Sequence, residues 1–191
     1  MARTVRTFVA IEISPEVRSR AAQLIARFSP TSAKVNWIDP HNLHMTLKFL
    51  GEVDLRESPQ VCAAVGEAMA ELPPFSIRVA GAGAFPDLQR PRTVWLGVTE
   101  GAEELIALHE RLETSLVKLG FRQEQRRFRP HLTIGRVRGL SGAAELGELV
   151  ARHQDFDAGI SDVDEVVVFS SELNRDGPTY EPLSTAELTG D

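Results

Sequence analysis

The order of patterns along the 191-residue chain predicts an α+β fold with a largely antiparallel sheet, built as two related lobes. Three observations carry this. Strand-like and helix-like segments are intermixed rather than strictly alternating. No low-complexity stretch or linker divides the chain, and its length suits one domain or two small lobes sharing a core. A short pattern also recurs 87 residues downstream, the mark of an internal duplication.

The elements follow in order. "TVRTFVAIEI" (4–13) is β-branched and aromatic, hence a strand. Ser14-Pro15 suits an N-cap with proline at the first helical position, and Val17, Ala21, Leu24, Ile25 and Phe28 continue at helical spacing. "SPTSAK" is a loop, "VNWID" (35–39) a short strand, "PHNL" a turn and "HMTLKFLGEV" (44–53) a strand. A helix over 56–71 is expected, then strands over 75–85 and 92–100. Leu105, Leu108, Leu112 and Leu116 form a helical stripe. "RRFRPHLTIGRVR" (126–138) is expected as a strand and 142–153 as a helix. Strands over 163–173 and 180–188, joined by the turn "NRDGP", complete the chain.

Composition is that of a globular protein, 42% hydrophobic and 25% charged. The net charge of −6 argues against a general nucleic-acid coat protein but permits a local basic cleft. One cysteine, Cys62, excludes an intrachain disulfide framework and suits a reducing cytoplasm; within "QVCAAVGEAM" it is expected as a small buried filler. The first apolar run is interrupted by Glu12 and lacks a small-residue cleavage site, so neither a signal peptide nor a membrane span is expected.

The repeat aligns His44 with His131, Thr46 with Thr133 and Leu47 with Ile134. Without a gap it also aligns Phe8-Val9-Ala10-Ile11 with Trp95-Leu96-Gly97-Val98. Duplicated lobes facing each other across a pseudo-two-fold axis would bring both histidine strands to one cleft. In a strand, His44, Thr46 and Lys48 share a face, as do His131 and Thr133, each imidazole about 7 Å from its hydroxyl. Two imidazoles across a cleft suit concerted acid–base catalysis, one neutral and one protonated. Hydroxyls beside them can donate to non-bridging phosphate oxygens. A phosphodiester, above all a strained cyclic one, fits this layout without a metal. A zinc site would need three or four ligands, and no His-Glu-x-x-His, cysteine pair or closely spaced carboxylate accompanies either histidine.

"HMTLKFLG" and "HLTIGRV" resemble the two signature motifs of the 2H phosphoesterase superfamily. The chain is similar to its RNA 2′,3′-cyclic phosphodiesterases, also called 2′-5′ RNA ligase-like proteins. "RTFVAIEISPEV", "VNWIDPHNLHMTLKFLGEV", "VWLGV" and "VVVFSSELNRDGPTYEPL" extend the likeness along most of the chain. The resemblance implies one bilobed domain over 1–191, helices on the outer faces, and motif strands facing a central cleft. It implies metal- and cofactor-free hydrolysis of an RNA 2′,3′-cyclic phosphate to a 2′-phosphate. It makes His44 the proton donor and His131 the proton acceptor, with Thr46 and Thr133 holding the phosphate; the residues themselves do not say which histidine is the acid.

The family often carries an arginine five residues after the second histidine, and Arg136 matches. Strand parity places it opposite His131, so either a bulge near Gly135 re-aims it or it is not a phosphate ligand. Arg122, Arg126, Arg127, Arg129, Arg136 and Arg138 crowd one segment, a basic rim suited to RNA phosphates or a solvated strand and loop. Lys48 is expected on the catalytic face. Phe8 and Trp95 could stack a terminal base, although core packing is favoured for both. His41 is expected in a turn, with His109 and His153 as surface or packing residues. The expected partner is an RNA bearing a 2′,3′-cyclic phosphate end, such as a tRNA fragment, or a small cyclic nucleotide, acted on by a cytoplasmic monomer. The alternatives are 2′-5′ ligation or cleavage, and an RNA-end binding module without turnover.

Overall fold

A computed structural model describes residues 3–174 and 177–190. Nine strands form two antiparallel sheets. The first has the order β3-β1-β8-β9 and the second β2-β6-β5-β4-β7. The strands are β1 (Thr4–Glu12), β2 (Val35–Trp37), β3 (His44–Asp54), β4 (Phe75–Phe85), β5 (Thr93–Glu100), β6 (His131–Val137), β7 (Asp157–Val163), β8 (Glu165–Asn174) and β9 (Gly177–Glu187). The helices are α1 (Pro15–Phe28), α2 (Ser58–Met69), α3 (Ala102–Lys118) and α4 (Ala143–Ala151).

Local chemistry explains several boundaries. The Ser14 hydroxyl accepts the Val17 N–H at 3.2 Å and proline opens α1, as the sequence predicts. The buried face of α3 is the leucine stripe Leu105, Leu108, Leu112 and Leu116, widened by His109 and Glu113. Pro40–Asn42 forms a 3-10 turn in which the Asp39 carboxylate accepts the His41 N–H at 2.8 Å.

Three sequence expectations are corrected. β6 begins only at His131; residues 122–130 are irregular, since four arginines and a proline supply neither alternating apolar residues nor a full set of backbone donors. β7, "DAGISDV", has no counterpart among the expected strands, because its three buried residues are the small or short Ala158, Ser161 and Val163. Cys62 is half-buried against the core rather than inside it. Part of the "NRDGP" turn, Arg175 and Asp176, lies outside the described residues.

The helices cross between lobes. α1 leaves β1 of the first sheet and packs on β7 of the second, where α4 covers β4. α2 packs on β9 and β8 of the first sheet, and α3 lies against α2 and also touches β3 and β5. One continuous apolar cluster runs through both lobes, from Val9 and Met45 to Leu132 and Ile134. This leaves β3 and β6, the two histidine strands, beside one another where the sheets meet.

Candidate active site

Each histidine strand is paired with its neighbour along the chain repeat. Glu12 of β1 lies opposite His44 and Ala10 opposite Thr46. Gly97 of β5 lies opposite His131 and Trp95 opposite Thr133. The two pairings are therefore out of step with the ungapped offset: with the motif strands aligned, β5 sits two residues away from the position that β1 would predict. A slip of two preserves which side chains face the cleft.

Both motif strands carry a bulge at the same place. In β3 the partners step from Thr46 to Lys48, leaving Leu47 unpaired; in β6 they step from Thr133 to Gly135, leaving Ile134 unpaired. An extra residue reverses the alternation beyond it. Leu47 and Lys48 are both buried, as are Ile134 and Gly135. Phe49 and Arg136 then emerge together into the cleft. The bulge thus brings Arg136 onto the side of Thr133. It takes Lys48 away from the side of Thr46, correcting the expectation that this lysine shares the catalytic face. Lys48 is 2% exposed and donates to the Glu113 carboxylate at 2.6 Å and the Arg122 carbonyl at 3.0 Å.

The two imidazoles are anchored alike. His44 Nδ1 lies 2.7 Å from the Asn42 carbonyl and His131 Nδ1 2.6 Å from the Arg129 carbonyl, in each case two residues upstream. A carbonyl only accepts, so Nδ1 carries the hydrogen and Nε2 is left to exchange protons. Burial holds both pKa values below the usual histidine range; their backbone hydrogen bonds oppose this, and the Arg136 charge lowers both further, helped by Arg18 at His44 and by Arg129 at His131.

The rings are backed by aromatic side chains. Phe8 stacks on His44 at 4.8 Å, while Tyr180 meets the ring edge-on at 5.1 Å. Phe8 is 2% exposed, which leaves no face for a base; it supports the imidazole instead of stacking substrate. On the other side Phe85 meets His131 edge-on at 5.0 Å and Trp95 lies 6.5 Å away. The Arg129 guanidinium sits over the Phe85 ring at 4.9 Å.

A cleft of about 1160 Å³ is lined by His44, Thr46, Thr133, Arg136, Phe49 and Tyr180. His131 lines an adjoining hollow of about 560 Å³ with Arg129 and Trp95. The expected basic rim is divided accordingly: Arg136 and Arg138 line the cleft, Arg127 and Arg129 the hollow.

Two contributors escaped sequence reasoning. Tyr180, the single tyrosine, reaches His44 from β9, 136 positions away in sequence. Burial raises its pKa, and Arg136 and Arg6 pull it back. Arg18 of α1 donates to the carbonyls of Pro40 and His41 at 2.7 and 3.1 Å, fixing the turn before His44. Nothing in a linear motif marks either contact. His41 is a turn residue, while His109 is buried and His153 half-buried. Among the described residues no three His, Cys, Asp or Glu side chains converge as a metal site.

The sequence model of the 2′-5′ RNA ligase superfamily matches residues 15–175. The chain is 36% identical to a protein of Methanothermobacter thermautotrophicus named RNA 2′,3′-cyclic phosphodiesterase, over 96% of this chain and 99% of the relative. It is 34% identical to a Thermotoga maritima protein of the same name, over 97% and 96% of the two chains. A crystal structure of a Thermus thermophilus protein superposes with a TM-score of 0.82 at 27% identity, over 97% and 99% of the chains. With both His-x-Thr strands in place, the match spans the repeat, the two sheets and nearly the full length, and the chain belongs to the 2′-5′ RNA ligase superfamily, the 2H phosphoesterases.

Proposed function

We propose that the protein hydrolyses RNA 2′,3′-cyclic phosphodiester ends to 2′-phosphomonoesters by a two-histidine, metal-independent mechanism. Relatives covering nearly the whole chain bear the name RNA 2′,3′-cyclic phosphodiesterase, which supports the substrate class. The observation that carries the mechanism is the matched anchoring of His44 and His131 through Nδ1 to carbonyls two residues upstream.

In this mechanism the cyclic phosphate sits by Thr46 and Thr133, whose hydroxyls donate to non-bridging oxygens, and Arg136 balances their charge. His131 Nε2 takes a proton from water as its oxygen bonds to phosphorus. The bond from phosphorus to the 3′-oxygen breaks, and that oxygen receives a proton from His44 Nε2. The product keeps its phosphate on the 2′-oxygen. The donor and acceptor roles follow the family resemblance. Arg136 disfavours a proton on either ring in the free protein; an arriving phosphate offsets that charge and restores the protonated partner.

The substrate class includes tRNA fragments and small cyclic nucleotides. A cytoplasmic monomer is the proposed form. The single half-buried thiol fits a reducing compartment, and among the described residues no helix is long and apolar enough to cross a membrane.

The test is turnover of a short RNA ending in a 2′,3′-cyclic phosphate with EDTA present, for wild type, His44→Ala and His131→Ala, with identification of the product isomer. Turnover in wild type alone, giving a 2′-phosphate, is expected. A 3′-phosphate product would reverse the bond assignment. No wild-type turnover would move the substrate to a 2′-5′ linkage or leave an RNA-end binding module.

A further inference from the structure

The hollow beside His131 is built differently from the cleft that holds the threonines. Its walls are Phe85, Trp95 and Phe128, and Arg127, Arg129 and His131 stand at its edge. Trp95 can lie flat on β4 because position 83 is glycine; a Cβ there would overlap the indole ring, and one at Gly97 would press on it at 3.3 Å. The indole lies 5.1 Å from the Phe85 ring. Neither Arg127 nor Arg129 has a carboxylate within ion-pair distance among the described residues. In a protein of net charge −6, two arginines beside three aromatic rings make this hollow locally basic.

Aromatic faces beside guanidinium groups without a carboxylate partner are the chemistry that binds a nucleobase and its phosphate. The two threonines and Arg136, which hold the reacting phosphate, line the neighbouring cleft, and of the residues in the hollow only His131 acts on that phosphate. That cleft, with Phe49 and Tyr180 in its walls, also has room for the terminal nucleoside. The hollow lies one step along β6 from the cleft: His131 lines the hollow, Thr133 lines the cleft, and Trp95 is the β5 partner of Thr133, so a nucleotide in the hollow is within one chain step of the reacting end.

We infer that the hollow is a second nucleotide subsite: it takes the base of the nucleotide preceding the cyclic phosphate end on Trp95, and the connecting phosphate on Arg127 and on Arg129, whose guanidinium the Phe85 ring already holds in place. This rests on the hydrolytic reading for the identity of the reacting end. Its consequence is a preference for chains over single nucleotides, with little preference among bases because stacking uses the ring face.

The experiment compares kcat/KM for adenosine 2′,3′-cyclic phosphate, for the adenosine dinucleotide with the same end, and for that dinucleotide with an abasic upstream residue. The adenosine dinucleotide is expected to be favoured about tenfold, the scale of one stacked base, and the abasic substrate to lose most of this. Arg127→Ala should lower the dinucleotide-to-mononucleotide ratio and Arg127→Lys should recover part of it. A general folding defect would lower both substrates alike. A second readout needs no turnover. Trp37→Phe leaves Trp95 as the sole indole, and a dinucleotide 2′-phosphate should quench its emission where adenosine 2′-phosphate does not. Equal kcat/KM for the mononucleotide and both dinucleotides, with equal quenching, would overturn the subsite while leaving the hydrolytic reading intact. Selective quenching by the dinucleotide without turnover of any cyclic substrate would uphold the subsite and overturn that reading.

Discussion

Leu47 and Ile134, 87 residues apart in the chain, are each the unpaired extra residue of a bulge immediately after a motif threonine. The bulge makes the two halves of the site chemically unequal. Up to the threonine both strands carry an imidazole and a hydroxyl on one face. Beyond it, the reversed alternation presents Phe49 from β3 and Arg136 from β6, and buries Lys48 and Gly135. One geometry, filled with different residues, supplies an aromatic wall on one side and a cation on the other.

The burial of Lys48 fixes what its replacement should do. Lys48→Met leaves the Glu113 carboxylate without its ammonium in a nearly closed site, a loss of about 3–5 kcal/mol in denaturant unfolding. Removing both charges in Lys48→Met/Glu113→Leu should recover most of it, because an apolar pair of similar size avoids the unpaired charge. Glu113 also accepts the Glu124 N–H at 2.7 Å, so faster hydrogen exchange at that amide is expected in the double variant. Undiminished stability in Lys48→Met would mean that the ammonium is not closed in.

Much of this site is legible in the sequence because its central parts are local. His-x-Thr needs only period-two alternation to set two side chains on one face, and the 87-residue repeat names both copies. Alternation fails at the next step, at Lys48, because a bulge is set by pairing with β1 and leaves no mark of its own in "HMTLKF". Gly135 is a hint in the second motif, where a small residue tolerates the inward turn; Lys48 is not. Tyr180 and Arg18 are illegible for another reason: each reaches the first histidine from a distant element. The irregular run 122–130 resembles a strand only through continuity with "HLTIGRV".

The two histidines should be equally indispensable and not additive. His44→Ala and His131→Ala are each expected to lower kcat about 10²- to 10⁴-fold, the range for one positioned proton-transfer group. Groups that act in one concerted step lose little more when both are removed, so the double variant should fall well short of the product of the two effects. Full multiplication, measured by single-turnover hydrolysis of the cyclic end, would separate them into independent roles.

Arg136 should affect rate and pH dependence in a linked way. Losing a cation that faces the developing charge is expected to reduce kcat/KM about 10²- to 10³-fold. The same cation lowers the pKa of both histidines. Arg136→Ala should therefore move both limbs of the kcat/KM profile to higher pH, with the alkaline limb, where the donor is lost, moving visibly. In wild type the kcat profile should lie at higher pH than the kcat/KM profile, since bound phosphate opposes Arg136. A profile unmoved by Arg136→Ala would place the guanidinium too far away to act on either ring.

Acid should destabilise the fold before it protonates most carboxylates. Burial is the first cause lowering the pKa of His44, His109 and His131 in the folded chain, whereas in the unfolded chain each returns to about 6.5. Between those values the unfolded state binds more protons. Stability is therefore complete above about pH 6.5 and falls as the pH drops below it, by about 1.4 kcal/mol for each tenfold difference in proton affinity between the unfolded and folded chains. His109 isolates the effect outside the cleft. It is 5% exposed, stacks on Phe128 at 4.1 Å, and its Nε2 has no hydrogen-bond partner among the described residues. Glu113 opposes the depression from 3.9 Å and keeps it from being larger. His109→Phe keeps a ring against Phe128 and removes the titration. Urea midpoints from pH 8 to pH 5 should fall less steeply for this variant than for wild type. Parallel curves would show that His109 takes up its proton in the folded chain as readily as in the unfolded one.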